Sequence, residues 1–600
     1  MRVTHIAAVS LLAVTSYGSP LFTSDDSRLV TRQVPGSYYA VTGATGGVFP
    51  RLEIRELQKK GGEMWNLFLL ALAEFQAMDQ TIIDSYYQIA GIHGMPWASW
   101  DGVEGTTEGK NDWNRGYCPH AQVLFGTWHR PYLVLFEQKL QSVAKAIANR
   151  FPTASKATYQ DAATKLRIPF WDWAKAIPTT EPMIPEVVSA EKVQVTFPNG
   201  TSAQIGNPLF QYNFHPLDNT QINGTGCPAG RGEGGRPIIC DTYNHTIRGG
   251  TYESGGDTVG VNTRLRADLQ SNRASLYAIL SQYQTFTQVA ANSFCGEAAR
   301  VGNLETLHNN IHADFTPGHM TPPAVAAFDP IFWLHHANVD RHLAIHQALY
   351  PNTYLTSCAA EFPTYTIEIG EILDANSALT PFHKNAAGDF WTSAAAREIR
   401  TQGYTYPELA NNPSNATLVK TIKDLYSGPA DVPVTATKTV RNTKRQGSEP
   451  TEKELYLAEI KLPTCGLDDG QGGGAPYSVL IFLGDVGNDA KDWITSDSFV
   501  GATSTLGAMI PSDQVTTATI DLSFALEKAI AGGLTSAEKA KEYLKANLHY
   551  RLAIGEVEIP KKEVANLNVG LISTKVEIAQ SDDEFDRWVG GFMEHGTVEA

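Results

Sequence analysis

The stretch FDPIFWLHHANVDRHL, Phe328 to Leu343, decides the reading of this chain. An Asp-Pro turn and an aromatic run lead into the doublet His335 and His336, and the pattern then predicts a helix carrying Asn338 and Asp340. Just upstream, ETLHNNIHADF places His308 and His312 four residues apart. On a helix both imidazoles project from one face, one turn apart, which is the spacing of a metal-ligand pair. The segment lacks the glutamate of the HExxH zinc-protease motif, so a third donor must come from elsewhere, and the doublet supplies it. Farther upstream GIHG contributes His93, GYCPH contributes His120, and TWHRPYLVLFEQ contributes His129 at the mouth of an amphipathic helix. Two trios of neutral nitrogen donors suit copper, zinc or iron, and six imidazoles that need no carboxylate or thiolate make a pair of copper ions the most economical reading.

Composition limits what else the chain can be. It has 600 residues, 47 Lys and Arg against 63 Asp and Glu, and a formal net charge of -16. That is the wrong sign for a binder of phosphate backbones, so nucleic acid is not an expected partner. With 42% hydrophobic and only 18% charged residues, the chain reads as a densely packed globular protein of two or more domains. Residues 1–19 have the layout of a secretory signal peptide, with Arg2 before an apolar run and then small residues, and no later run is long enough for a membrane span. Sequons at Asn199, Asn223, Asn244 and Asn415 fit export, so a secreted glycoprotein is expected. Six cysteines are too few for a disulfide scaffold. Cys227, Cys240, Cys295 and Cys358 can pair in three ways, with proximity favouring Cys227 with Cys240, and Cys465 stands alone downstream.

Residues 33–425 carry three- and four-residue apolar spacings, as in Glu63–Gln80 and Pro131–Phe151, and predict a mainly helical domain. Between Pro185 and Gly256 the chain reads as long loops with a short strand at Lys192–Phe197. Residues 426–453 read as a linker with a dibasic pair, Lys444 and Arg445, a target for a processing protease. Residues 454–600 read as a mostly β, sandwich-like domain, with strands expected at Glu454–Leu462, Tyr477–Val486, Val515–Phe524 and Asn568–Ala579 and one helix at Ser536–Leu548.

Taken together, the two histidine trios, WDW at Trp171–Trp173, the run ending at His336 and HANVDR resemble the type-3 dinuclear copper proteins, and in particular the long secreted fungal tyrosinases. The resemblance covers most of the chain. It implies a four-helix bundle holding two copper ions, with His93, His120 and His129 as one ligand set and His308, His312 and His336 as the other. His335 is then a neighbour, and His319, His342 and His346 are packed or hydrogen-bonded rings. Asp340 is expected to fix an imidazole's tautomer, and Cys118 to form a thioether with His120. Glu305 and Asn309 resemble the pair that orients a water for deprotonating a phenol, and Ala313 leaves the entrance roomy. Phe328 and Phe332 are expected in the core.

The implied activity uses dioxygen to hydroxylate small monophenols at the ortho position and to oxidise o-diphenols to o-quinones. Catechol oxidase or o-aminophenol oxidase activity, with little action on monophenols, is the nearest alternative, and a hemocyanin-like oxygen binder a more distant one. Arg51 or Arg55 and the Tyr404–Tyr406 triplet resemble paired marks at the two ends of the catalytic domain. The β domain resembles a shielding domain that keeps the enzyme latent, with Phe499 as the expected plug above the metals and cleavage near Lys444–Arg445 as the activating event.

Overall fold

The structure, a computed structural model, describes residues 36–106, 116–222, 243–250, 256–292, 295, 302–430, 452–464, 466–468, 474–506 and 514–599. The leader, the dibasic pair, Asn223, Cys227, Cys240 and Cys465 lie outside these. Asn199, Asn244 and Asn415 are exposed. Among the described residues no helix is long and apolar enough to cross a membrane.

The helical domain is built on α1 (Gly62–Gln76), α2 (Phe125–Arg150), α3 (Thr258–Gln282), α4 (Leu304–Asp314), α5 (Pro330–Leu349) and α6 (Asn415–Tyr426). Helix starts follow local chemistry: Asn303 accepts the Thr306 N–H at 2.9 Å to open α4, and Asp329 accepts that of Ile331 at 3.1 Å to open α5, with Pro330 at the first helical position. Helices α3, α4, α5 and α2 pack in that succession. A short parallel pairing of β1 (Phe49–Pro50) with β2 (Tyr404–Thr405) ties the two ends of the domain together. A disulfide joins Cys295 to Cys358, one of the pairings left open above.

The C-terminal domain holds β3 (Glu452–Pro463), β4 (Ser478–Leu483), β5 (Phe499–Ser504), β6 (Val515–Asp521), β7 (Leu548–Ile554), β8 (Val557–Glu558), β9 (Asn568–Glu577) and β10 (Arg587–Thr597). Two antiparallel sheets form, in the orders β6-β3-β9-β10 and β5-β4-β7-β8. Alternation sets the layers: Val479 and Ile481 of β4 join Ile460, Leu552 and Leu571 between the sheets, while Leu480 and Phe482 face the other way onto Trp493.

Several boundaries differ from the sequence reading: α1 ends at Gln76 rather than Gln80, β4 ends at Leu483 rather than Val486, and three further differences have a local cause. α2 starts six residues before Pro131, at Phe125, which moves His129 into its second turn. The strand expected to reach Phe524 ends at Asp521, whose carboxylate accepts the Ser523 N–H at 2.7 Å and opens a helix at Ser523–Ala531. The helix expected from Ser536 begins as a 3-10 turn and is α-helical only over Ala540–Asn547, because Leu548 enters β7.

Candidate metal centre

Five segments deliver seven imidazoles to one buried region. His93 follows the short helix Tyr86–Gly91, His120 lies in the loop before α2, His129 is on α2, His308 and His312 are on α4, and His335 and His336 are on α5. All are buried. Ring centroids of His129 and His336 lie 4.3 Å apart, those of His308 and His312 4.3 Å, and those of His120 and His308 6.0 Å, so the two trios adjoin.

Backbone carbonyls set several tautomers. The Nδ1–H of His93 donates to Pro323 O at 2.8 Å, that of His129 to Phe125 O at 2.8 Å, and that of His312 to Met320 O. A carbonyl can only accept, so each Nε2 is left as a bare lone pair. His308 Nδ1 pairs with the amide oxygen of Asn309 at 3.0 Å, and His308 Nε2 faces His336 Nε2 at 3.2 Å. Nε2 of His93 and of His312 has no hydrogen-bond partner. Buried polar atoms are normally satisfied, so unpartnered lone pairs aimed at one region mark a place for a cation. Burial lowers the ring pKa values, to about 3 for His129 and about 4 for His312, which keeps these rings neutral and fit to bind metal.

The donor atoms gather into three sets, each within 4.8 Å: His308, His312, His335 and His336; His93, His129 and His336; and His93, Cys118 and His120. His336 reaches both sides. His335, set aside above as a neighbour, lies with the second trio, and neither of its nitrogens has a partner. The Cys118 sulfur is 3.6 Å from His120 Nε2 and 3.3 Å from His129 Nε2. Phe328 is a core ring, as expected; Phe332, also buried, packs its ring 4.1 Å from His336 and 4.9 Å from His93, forming an apolar wall. His319 accepts the Ile247 N–H at 3.0 Å and His346 pairs with Tyr283 O at 3.1 Å, as expected of packed histidines.

Glu305 is buried, and each carboxylate oxygen accepts one backbone N–H, from Ala121 at 2.6 Å and from Asn292 at 2.7 Å. Ala121 has a left-handed φ of 52°, a conformation that needs support in a residue with a side chain. Glu305 therefore pins the loop that presents His120. Burial raises its pKa to about 8.

Two expectations are corrected. Asp340 touches no imidazole: it accepts from Arg130 Nε at 2.8 Å, Arg51 at 3.3 Å, Tyr404 OH at 2.7 Å and Tyr406 OH at 2.6 Å. The tautomer-fixing role falls to backbone carbonyls for His93, His129 and His312, which a side-chain reading cannot see, and to the Asn309 amide for His308. Phe499 does not sit over the histidines. Half-buried at the start of β5, it packs against the C-terminal domain's own core, 5.7 Å from Phe482. The network also settles Arg51 over Arg55: the Arg51 guanidinium lies 3.6 Å from the Tyr404 ring centroid and pairs with Glu137 at 3.0 Å, whereas Arg55 pairs with Glu53. Arg130 and Glu137 were not picked out from the sequence. Their signal was present in two charged residues inside the apolar pattern of α2, which must be paired if buried.

Fold and site together define an enzyme-like scaffold in which helices converge a buried imidazole cluster, with a β domain docked beside it. Residues 83–349 match the family described as the common central domain of tyrosinase, and residues 465–571 match the tyrosinase C-terminal domain. A tyrosinase of Neurospora crassa is 30% identical, covering 90% of this chain and 94% of its own. Among solved structures, latent and active mushroom tyrosinase is 25% identical with a TM-score of 0.76, covering 94% of this chain and 99% of that one. A pro-tyrosinase of Aspergillus oryzae, 22% identical, shares the fold with a TM-score of 0.68 over 94% of this chain and 98% of that one. The chain belongs to the tyrosinase family and is an enzyme of the tyrosinase and polyphenol oxidase type.

Proposed function

We propose that this protein is a secreted dinuclear copper oxidase, made in a latent form, that ortho-hydroxylates monophenols and oxidises o-diphenols to o-quinones. The carrying observation is the convergence of His93, His120, His129, His308, His312 and His336, with bare lone pairs turned toward one another in a buried region. Two copper ions held there would supply the binding and reduction of dioxygen. The chain's own residues do the rest. Carbonyls of Pro323, Phe125 and Met320 hold the rings in orientation. Phe332 excludes water, and Glu305 steadies the His120 loop. Asn309 orients His308 and, with the remaining lone pairs of Glu305, would place a water to receive a phenol proton. The overall reaction converts a monophenol and one dioxygen to an o-quinone and one water.

The occupation of both Glu305 oxygens by backbone N–H groups favours one second reading, an oxidase confined to o-diphenols or o-aminophenols. Full-length protein and protein cleaved in the linker should each be assayed on a phenol and on a catechol, alongside metal analysis. Two coppers per chain and a marked gain in both activities on cleavage are expected. Cleaved, copper-loaded protein that makes no quinone from either substrate would overturn the reading, and quinone from catechol alone would select the diphenol oxidase.

We also propose a thioether between Cys118 and His120, given the 3.6 Å approach of sulfur to ring. Forming the C–S bond breaks the thiol S–H and one ring C–H and releases two protons and two electrons, which dioxygen, the proposed co-substrate, would accept; peptide mapping should find the two residues cross-linked and lighter by two hydrogens. A free thiol on Cys118 in copper-loaded protein would exclude it.

A further inference from the structure

Strand β5 is the edge of its sheet, and an edge strand presents unpaired backbone N–H and C=O groups on its open side. Here that side faces the helical domain. The Ala502 N–H donates to Asp268 Oδ1 on α3 at 2.9 Å, and the Ser504 N–H donates to Asn310 Oδ1 on α4 at 2.8 Å. Asn310 Nδ2 donates back toward Ala502 O at 3.5 Å and is itself braced by Asn272 Oδ1 at 3.0 Å. One amide accepting and donating in this way does the work of a neighbouring strand's peptide unit.

The approach is close enough to dictate a residue. A Cβ on Gly501 would lie 2.5 Å from both Cβ and Oγ of Ser271 on α3, and only 3.5 Å from Ile520. Gly501 does not have a left-handed φ, so proximity alone calls for glycine. Other hydrogen bonds cross the interface, with Gln282 Nε2 donating to Asp586 O at 2.8 Å and the Trp588 N–H donating to Gln282 Oε1 at 3.0 Å, and between the two contacts lies a cavity of about 820 Å³ lined by Tyr277 and Ser281 of α3 and by Phe499, Asp521 and Trp588 of the C-terminal domain. Asn310 lies two residues from both His308 and His312, about 200° around α4 from each and so on the opposite face. The contact can thus act on the domain interface without entering the imidazole cluster.

We propose that this capped strand edge is the latch of the latent state: Asp268 and Asn310 pair with Ala502 and Ser504, Gly501 sets the spacing, and opening the contact releases the C-terminal domain without cleavage. The proposal rests on the latency reading above, so its test reads docking separately from activity. In the uncleaved, copper-loaded chain, Gly501→Ala should speed amide hydrogen exchange at Ala502 and Ser504 by about tenfold or more and raise catechol oxidation. The double variant Gly501→Ala with Ser271→Gly removes the clash and should restore both slow exchange and low activity, which also shows that the alanine strand folds. Exchange unchanged in Gly501→Ala would overturn the latch as a docking contact. Faster exchange with activity still low would overturn its control of latency. If uncleaved wild-type protein is already as active as cleaved protein, the latency reading fails, while the exchange comparison still judges the docking contact.

Discussion

Replacing His308 by alanine is expected to abolish quinone formation and to strip the protein of at least one metal ion. Its Nε2 faces that of His336 at 3.2 Å, and its ring lies between His312 and His120, at the junction of the two trios. Loss of a group that only orients a ligand typically costs about 10- to 100-fold, and loss of a ligand itself should exceed that. His336→Ala should behave like His308→Ala, because His336 is the α5 imidazole that groups with donors from both trios. His335→Ala is the decisive comparison. The family pattern makes His335 a neighbour, yet it lies in the same donor set as His336. Two coppers retained in His335→Ala, with both lost or one lost in His336→Ala, would support the proposed ligand set; the reverse would reassign it.

The second large effect lies away from the metals. Asp340→Asn should destabilise the helical domain by about 3 to 5 kcal/mol, the usual cost of removing one partner from a buried charge pair. Burial alone would raise the Asp340 carboxyl, but Arg130, Arg51 and the hydroxyls of Tyr406 and Tyr404 outweigh it and hold the pKa below the ordinary aspartate value. A carboxylate depressed in the folded state contributes stability at neutral pH that is lost as pH falls through its folded pKa. The gap between wild type and Asp340→Asn in denaturant unfolding should therefore be widest near neutrality and narrow below about pH 4. A gap that stays constant down to acid would show that packing, not charge, holds Arg51 and Arg130. The same substitution should loosen the β1–β2 pairing, since Arg51 follows β1 while Tyr404 lies in β2 and Tyr406 directly follows it.

Much of the centre was legible because ligand chemistry is written in residue type and spacing. A four-residue separation on a helix fixes His308 and His312 on one face whatever surrounds them, and Asp329-Pro330 opens its helix by local hydrogen bonding. The division between a helical domain and a β domain was likewise carried by apolar periods of 3.6 and of 2. Partners set by distant chain were not legible. Asp340, in the HANVDR motif, reads as an imidazole's companion because ligating histidines need an orienting partner, but it faces Arg51 and Tyr406, 289 and 66 residues away. Phe499 reads as a plug only through the resemblance of the β domain to a shielding domain, and the strand's pleat turns it onto Phe482 instead.

The sequence by itself determined which imidazoles are available to a shared site, since donor type, helical spacing and apolar pattern are local properties. Only the tertiary structure decided which carbonyls orient the rings, which carboxylate pins the His120 loop, and that Gly501 is required by the nearness of Ser271. Backbone carbonyls are the same in every residue, and nearness between segments hundreds of residues apart depends on how two layers pack, so no single stretch of sequence contains either.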